Sequence, residues 1–350
     1  MIERLRAIGV GVSLCLAGCG NGASSSSAPD DLAGCAPATN TAPDDVFCIG
    51  LYHAKSSKQT VSQAHAYKPG VVLWSDGAEK QRYLALPEGS TIDTSSWDEW
   101  KFPVGTKAFK EFRFDGKLVE TRMLWKQAEA NWIMATYIWD ANEKSAPLNT
   151  SKRPVLLDSG YEIPTAKDCG KCHHGGSDKV LGVEAVALAL SSAEGMTLDA
   201  LVNTGLLSDP PRGTSIALPE DDSGKAATAL GFLHANCGMA CHSTRGLGDE
   251  TQLVLRLRAD EFWGADGKPR EETVDQTDAF AAAVGVEPTT ASVAKAFPGA
   301  KRITPGAHDQ SLLWLLSHRR DKYQMPPLVS HQVDEVDSQA LADWIDALSN

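Results

Sequence analysis

Residues 108–125 read AFKEFRFDGKLVETRMLW. Asp115-Gly116 stands between two runs of alternating polar and apolar residues, the signature of a two-residue type I′ hairpin. In-register pairing from that turn sets Phe114 against Lys117 and Phe112 against Val119. On that register Phe112, Phe114, Val119 and Met123 form a core face. Glu111, Arg113, Glu120 and Arg122 form a cross-strand ladder of charges on the other face. A direct binding role is the alternative for those four charges.

Around the hairpin, six of the nine tryptophans fall between positions 74 and 139. They fill a sandwich core or, on the alternative, Trp97, Trp100 and Trp132 are exposed platforms for a ligand such as a sugar. Residues 46–162 are therefore expected to form a β-sandwich-like domain. Beyond them the apolar spacing turns helical. Stretches 179–190, 197–207, 224–236, 310–320 and 338–349 are the helix candidates, with Leu341, Trp344, Ile345 and Leu348 on one face of the last. Residues 260–306, rich in Pro, Gly and charge, read as a long loop.

Upstream, Arg4 and Arg6 open an apolar run over 7–17, which reads as a secretory signal over residues 1–18. Its end, Leu16-Ala17-Gly18-Cys19, resembles the lipobox of bacterial lipoproteins. That resemblance implies cleavage before Cys19 and lipidation of its thiol; an ordinary signal is the alternative. Residues 19–45, small, polar and Pro-containing, read as a flexible tether. Gly20 after Cys19 favours the outer membrane.

The chain has 350 residues and a formal net charge of −12, with 33 Lys and Arg against 45 Asp and Glu. That length suits two or three domains. Its acidity and lack of a basic run argue against nucleic-acid binding, and no apolar run is long enough to span a membrane. Neither a Ser-His-Asp triad nor a nucleotide-binding glycine motif is evident.

Of the eight cysteines, Cys15 leaves with the signal and Cys19 takes the lipid. Cys35 and Cys48 suit a disulfide in an oxidising compartment, contributing roughly 3 kcal/mol by loop entropy.

The other four lie in two motifs. Cys169-Gly170-Lys171-Cys172-His173 fits C-x-x-C-H, the attachment motif of c-type haem. Two thiols at this spacing reach the two vinyl groups of one porphyrin, and the histidine becomes the proximal iron ligand. Rival readings are a zinc site, a disulfide or a thioredoxin-like redox pair. Cys237-Gly238-Met239-Ala240-Cys241-His242 carries one extra residue, a rarer attachment spacing. A four-thiolate zinc site joining both pairs is a further alternative. Downstream, Gln324-Met325-Pro326-Pro327 places a methionine in a Pro-stiffened loop, suited to a distal iron ligand or to filling a gap in a core. For the first haem His234, His308, His318, Met196 or an open position remain. His174 adjoins His173 and cannot reach the opposite face, and His53, His65 and His331 read as surface or core residues.

These motifs, with LWSDGAEKQR (73–82), FPVGTK (102–107), VETR (119–122) and RITPG (302–306), resemble a family of exported bacterial cytochrome c-like lipoproteins with an N-terminal β region. The resemblance covers most of residues 70–350. From about Ala226 the chain is similar to class I cytochromes c, which implies Cys237 and Cys241 as thioether sites, His242 as proximal ligand and Met325 as distal ligand.

The expected fold is thus multidomain: an all-β, sandwich-like N-terminal domain followed by a mostly α-helical cytochrome c-like domain. Residues 163–215 are its first haem-motif segment and 216–350 its cytochrome c-like part. The expected function is electron transfer by one or two covalently attached haem c groups. The protein would be a periplasm-facing envelope lipoprotein, anchored only through its lipid and serving a redox protein partner. It reads as an electron carrier rather than a catalyst; alternatives are a di-haem peroxidase and a ligand-binding lipoprotein with an accessory haem domain. Against the peroxidase, motifs starting at Cys169 and Cys237 are too close for two full-sized cytochrome domains.

Overall fold

The computed structural model describes Leu32, Gly34, Cys35, residues 40–174, Gly176 and residues 178–349. The signal sequence, the lipidation site at Cys19 and much of the 19–45 tether lie outside the described residues. Among the described residues, no helix is long and apolar enough to cross a membrane.

Five strands, β1 (Ala64–Lys68), β2 (Glu79–Ala85), β3 (Lys107–Phe114), β4 (Lys117–Ala128) and β5 (Asn131–Ile138), form an antiparallel meander. A short pair, β6 (Val155–Leu156) and β7 (Glu162–Ile163), follows. The sixth strand of the main sheet, β8 (Glu194–Gly195), comes from beyond the first cysteine motif and pairs with the free edge of β1, giving the order β5-β4-β3-β2-β1-β8. Helices α1 (Ala166–Cys172), α2 (Ala185–Ala189), α3 (Leu198–Asn203), α4 (Ala226–Leu233), α5 (Ala259–Phe262), α6 (Asp278–Ala283), α7 (Ala291–Ala296), α8 (Leu312–Ser317) and α9 (Glu335–Ala347) complete the chain.

This architecture corrects the expected one. Helix is 25% of the chain and strand 20%, so the C-terminal half is not mostly α-helical. Nor is the N-terminal half a sandwich, since beside the main sheet the described residues form only the two-stranded β6-β7 pair. One sheet face packs on the N-terminal segment through Val46, Phe47, Ile49, Tyr52, Phe109, Met123 and Tyr137. The other face puts Tyr67, Leu84, Ala108 and Leu124 into a core that runs on through Leu201, Leu230, Phe262 and Trp344. Most of that second core comes from residues beyond position 175, so the sheet and the C-terminal half share it.

The helices are shorter than their apolar runs because caps and tertiary contacts stop them. In the 179–190 run, the Glu184 carboxylate accepts from Val186 N and Ala187 N and starts α2 there. At the other end Leu190 turns extended and bridges Ile216. The expected 260–306 loop in turn holds α6, α7 and part of α5, among them α6 capped by Thr277.

The hairpin turn has positive φ at both central residues, 49° at Asp115 and 74° at Gly116, as type I′ requires. Phe114 pairs with Lys117, but a bulge follows: Arg113 pairs with Leu118 and Phe112 with Glu120. The extra residue is Val119. A one-residue slip moves side chains to the other face, and this overturns the expected partition. Met123 joins Phe109 on one face, whereas Phe112 packs with Tyr161. The four charges also separate. Glu111 accepts from the buried Tyr52 hydroxyl at 2.5 Å and Arg113 lies beside Glu143. On the opposite face Arg122 pairs with the fully buried Glu120, which also accepts from Tyr161 Oη at 2.7 Å.

Asp178 joins the chain after α1 to this sheet. It accepts from Lys126 Nζ (2.9 Å), Phe102 N (2.7 Å) and Trp132 Nε1 (2.8 Å), and Lys126 is only 1% exposed. Asp178→Ala leaves a buried ammonium without its main partner, so the expected loss is about 3 kcal/mol, measured by chemical denaturation.

Candidate functional site

Thr165 and Asp168 form a reciprocal capping box that starts α1, and Lys171 pairs with Asp168 at 3.0 Å. Three residues apart on one helix face, Cys169 is buried and Cys172 half-buried, both as free thiols. His173 ends the helix and is 8% exposed. Its Nδ1 lies 2.5 Å from the Lys179 carbonyl oxygen. A carbonyl only accepts, so Nδ1 carries the proton and Nε2 keeps a lone pair. Burial, then repulsion from Lys110, pushes the imidazole down to about 3, so the ring is neutral, the form that binds metal.

These three residues stand on the wall of a cleft open to solvent. The sheet forms a second wall with Lys80, Arg82, Lys110, Phe112 and Arg122. The third comes from His234, Asn236, Met239 and the 326–330 loop. Register places Tyr67, Arg82, Lys110, Arg122 and Thr136 side by side across β1 to β5. Arg122 is committed to Glu120, and Lys80 donates to Leu73 O and Ser75 Oγ. Arg82 (5% exposed) and Lys110 have no ion pair or hydrogen bond among the described residues. At one end of the row the buried hydroxyl of Tyr67 also lacks a partner, and at the other Thr136 lies against the Cys169 thiol. Burial, then the neighbouring Arg82 and Arg122 charges, pushes Lys110 down to about 7.

The second motif begins where α4 widens into a π turn, His234–Gly238. His242 N bonds Cys237 O at 2.8 Å, a five-residue step. This wider turn absorbs the extra residue between the thiols, a recurrent use of π bulges at functional sites. Gly238 is required here, since a Cβ would lie 2.4 Å from Arg256 N. Cys237 is pushed up to about 12 by burial and by Cys241; Cys241 is raised by burial and by Cys172, so the two motifs adjoin. Thr251 Oγ1 donates to Gly248 O at 2.6 Å and therefore faces His242 Nδ1, 3.4 Å away, as an acceptor. His242 Nε2 thus holds the lone pair, as in His173.

Cys237 and Met325 line one smaller cavity of about 340 Å³, open to solvent, together with Phe232, Arg320 and Asp334. Trp74, Asn236 and Pro326 line both cavities. The LWSDGA segment positions the Met325 loop: Trp74 Nε1 donates to Gln332 O, and Asp76 accepts from His331 N and Gln332 N. Met325 N bonds Leu316 O at 2.8 Å. Cys241 and His242 are not among the residues lining this cavity.

One proposed distal ligand is engaged at both ring nitrogens. His234, 1% exposed, accepts from Leu257 N at Nδ1 and turns Nε2–H toward Glu184 Oε1 at 3.4 Å, leaving no free lone pair. His308 Nδ1 lies 2.6 Å from Asp346. Met196 is buried in the larger core, and His318 stacks on Trp314. His53, His65, His174 and His331 are exposed. None of the six tryptophans expected as core or platforms is exposed, and Trp100 and Trp139 are buried. Cys35 and Cys48 form a disulfide with Cα atoms 5.2 Å apart. Among the described residues, no group of three or more His, Cys, Asp or Glu is arranged to hold a metal ion, so the two thiol pairs are not assembled as a four-thiolate site.

Comparison with protein families, with curated proteins and with solved structures finds no match.

In the chain without a bound group, folded Lys110 loses its proton near pH 7, whereas the unfolded residue keeps it to its ordinary 10.5. The unfolded state then binds more protons, so stability rises with pH from about 7. The raised thiols act in the opposite sense above their ordinary 9.0. Denaturation midpoints are expected to climb from pH 7 to 9, and Lys110→Met to flatten that climb.

Proposed function

We propose that this chain is a c-type cytochrome of the bacterial cell envelope, an electron carrier anchored by lipid at Cys19. The observation that carries the reading is the C-x-x-C-H helix on the wall of a cleft, with a neutral His173 whose protonated Nδ1 leaves Nε2 free. The residues present fit a haem. Cys169 and Cys172 supply adjacent thiols, and Lys179 O fixes the imidazole's tautomer and orientation. The Arg82 and Lys110 side chains, without ion pairs among the described residues, face the same space. A bound haem supplies a one-electron iron couple.

The chain's own residues set the terms of transfer. Phe112, Tyr161, Leu181 and Leu328 exclude water from the cleft. Because His234 is engaged on both nitrogens, the remaining histidine or methionine donor among the described lining residues is Met239, 9% exposed. For the second motif, Cys237, Cys241 and His242 are the attachment set and Met325 the thioether donor. Trp74, Asn236 and Pro326, common to both cavities, are the material through which the two sites communicate. The acidic chain, −12 overall, favours a redox partner with a basic docking face and an encounter weakened by salt.

The test is a pyridine haemochrome spectrum with intact mass on protein made with the haem attachment machinery. Two covalent haems per chain are expected, and Cys169→Ser with Cys172→Ser removes one; no haem overturns the reading. Met325→Ala is expected to lower the midpoint potential of one haem and leave the other unchanged, since a thioether ligand raises the potential.

A further inference from the structure

The stretch that carries Met325 also walls the first cleft. Leu328, Val329 and Ser330 line that cleft, Met325 lines the smaller cavity and Pro326 lines both. The stretch is bound into one unit. Gln324 Nε2 donates to the Pro326 and Ser330 carbonyl oxygens at 3.1 and 2.9 Å, and Pro326 and Pro327 fix φ within it. Its far end is fastened at one peptide. Gln332 N donates to Asp76 Oδ1 at 3.2 Å, and Gln332 O accepts from Trp74 Nε1 at 3.0 Å and from Arg320. Beside it, His331 N donates to Asp76 Oδ2 at 2.8 Å.

Trp74 and Asp76 themselves line the first cleft, so these bonds run from one wall to another. Asp76 is 6% exposed, and both of its oxygens meet amides of the loop. Such carboxylate contacts are charge-assisted, roughly twice as strong as neutral hydrogen bonds. A further tie, His331 Nε2 to Glu162 at 3.3 Å, is half-exposed on the histidine side and contributes little. Asp76 also holds a left-handed φ of 49°, a conformation that Asp and Asn adopt more readily than most residues.

We propose that Asp76 is a positioning residue for both sites: its carboxylate clasps the 325–332 loop, closing the first cleft and holding Met325 at the second motif. Release of Gln332 therefore opens the two sites together. The role of Met325 at an iron rests on the haem reading, and the clasp itself does not.

The experiment uses the full chain made without the attachment machinery, alkylated under native conditions with N-ethylmaleimide, each cysteine followed by peptide mass spectrometry. Asp76→Asn keeps the side-chain shape and the left-handed backbone but gives up one acceptor, and Asp76→Gly gives up both. Alkylation of Cys169 and Cys172 in the cleft and of Cys237 in the smaller cavity is expected to accelerate together. The rise is about tenfold in Asp76→Asn, the ratio that one charge-assisted hydrogen bond supports, and larger in Asp76→Gly. Circular dichroism reports whether each variant is folded, and Asp76→Asn carries the comparison alone where Asp76→Gly is not. Urea well below the unfolding midpoint is expected to leave the rates unchanged, as loop opening exposes little surface. Rates that track global unfolding, rates unmoved by either variant, or a rise confined to one site overturn the proposal. In the matured protein Asp76→Asn is expected to lower the same midpoint potential that Met325→Ala lowers; an unmoved potential overturns the hold on Met325. If the thiol rates rise and the matured protein carries no haem, the clasp stands while the cytochrome reading and the role of Met325 at an iron fall.

Discussion

A single extra residue in β4 decides what the cleft is made of. Val119 leaves the ladder between Arg113–Leu118 and Phe112–Glu120, and every pair beyond it shifts by one. Lys110 therefore meets Arg122 rather than Thr121, and Ala108 meets Leu124. Bulges are known to re-aim side chains beside functional sites. Here the shift gathers polar groups onto one face near the motif helix and apolar groups around them. It also sends Phe109 and Met123 to the face that packs on the N-terminal segment. Both cores of the molecule depend on that register.

The limits of the sequence follow from the same point. The type I′ turn was legible because Asp115-Gly116 fixes it locally. The bulge was not, since nothing between Leu118 and Glu120 marks an extra residue. That Cys169 and Cys172 share one helix face was legible for a different reason, since it is written in their spacing along one turn. The row Arg82–Lys110–Arg122 was illegible as a unit because its members lie on three strands and meet only through register. A hint existed, in that Lys80 and Arg82, like Lys110 and Phe112, alternate onto one strand face. Helix positions were mostly readable and helix lengths were not. The carboxylate of Glu184 and the extended Leu190 set the ends of α2, and neither is visible as an apolar period. The resulting mixture of short helices and irregular chain is why the expected helical C-terminal half gave way.

His234 illustrates how hydrogen bonding restricts function more sharply than position does. It lines the cleft, it is buried, and it precedes the second motif by three residues. Yet a backbone amide occupies one ring nitrogen and Glu184 faces the other. His173 and His242 are the mirror case. Each has an acceptor at Nδ1, so each presents an unprotonated Nε2. Two similar tautomer-fixing contacts at two motifs, made by unrelated partners (a carbonyl and a threonine hydroxyl), give both imidazoles the same chemical state.

The cleft also has a history along the chain. Its walls are drawn from Pro69 at one extreme to Ser330 at the other, and the sheet edge beside it closes only with Glu194–Gly195. A growing chain therefore releases Cys169, Cys172 and His173 well before the residues that will enclose them exist. Contacts this distant in sequence form late and slowly. Throughout that interval the thiols stand open to any enzyme that must reach them, whereas after closure Cys169 is 7% exposed. For the haem attachment proposed above, the order of synthesis would leave a window that the finished fold takes away.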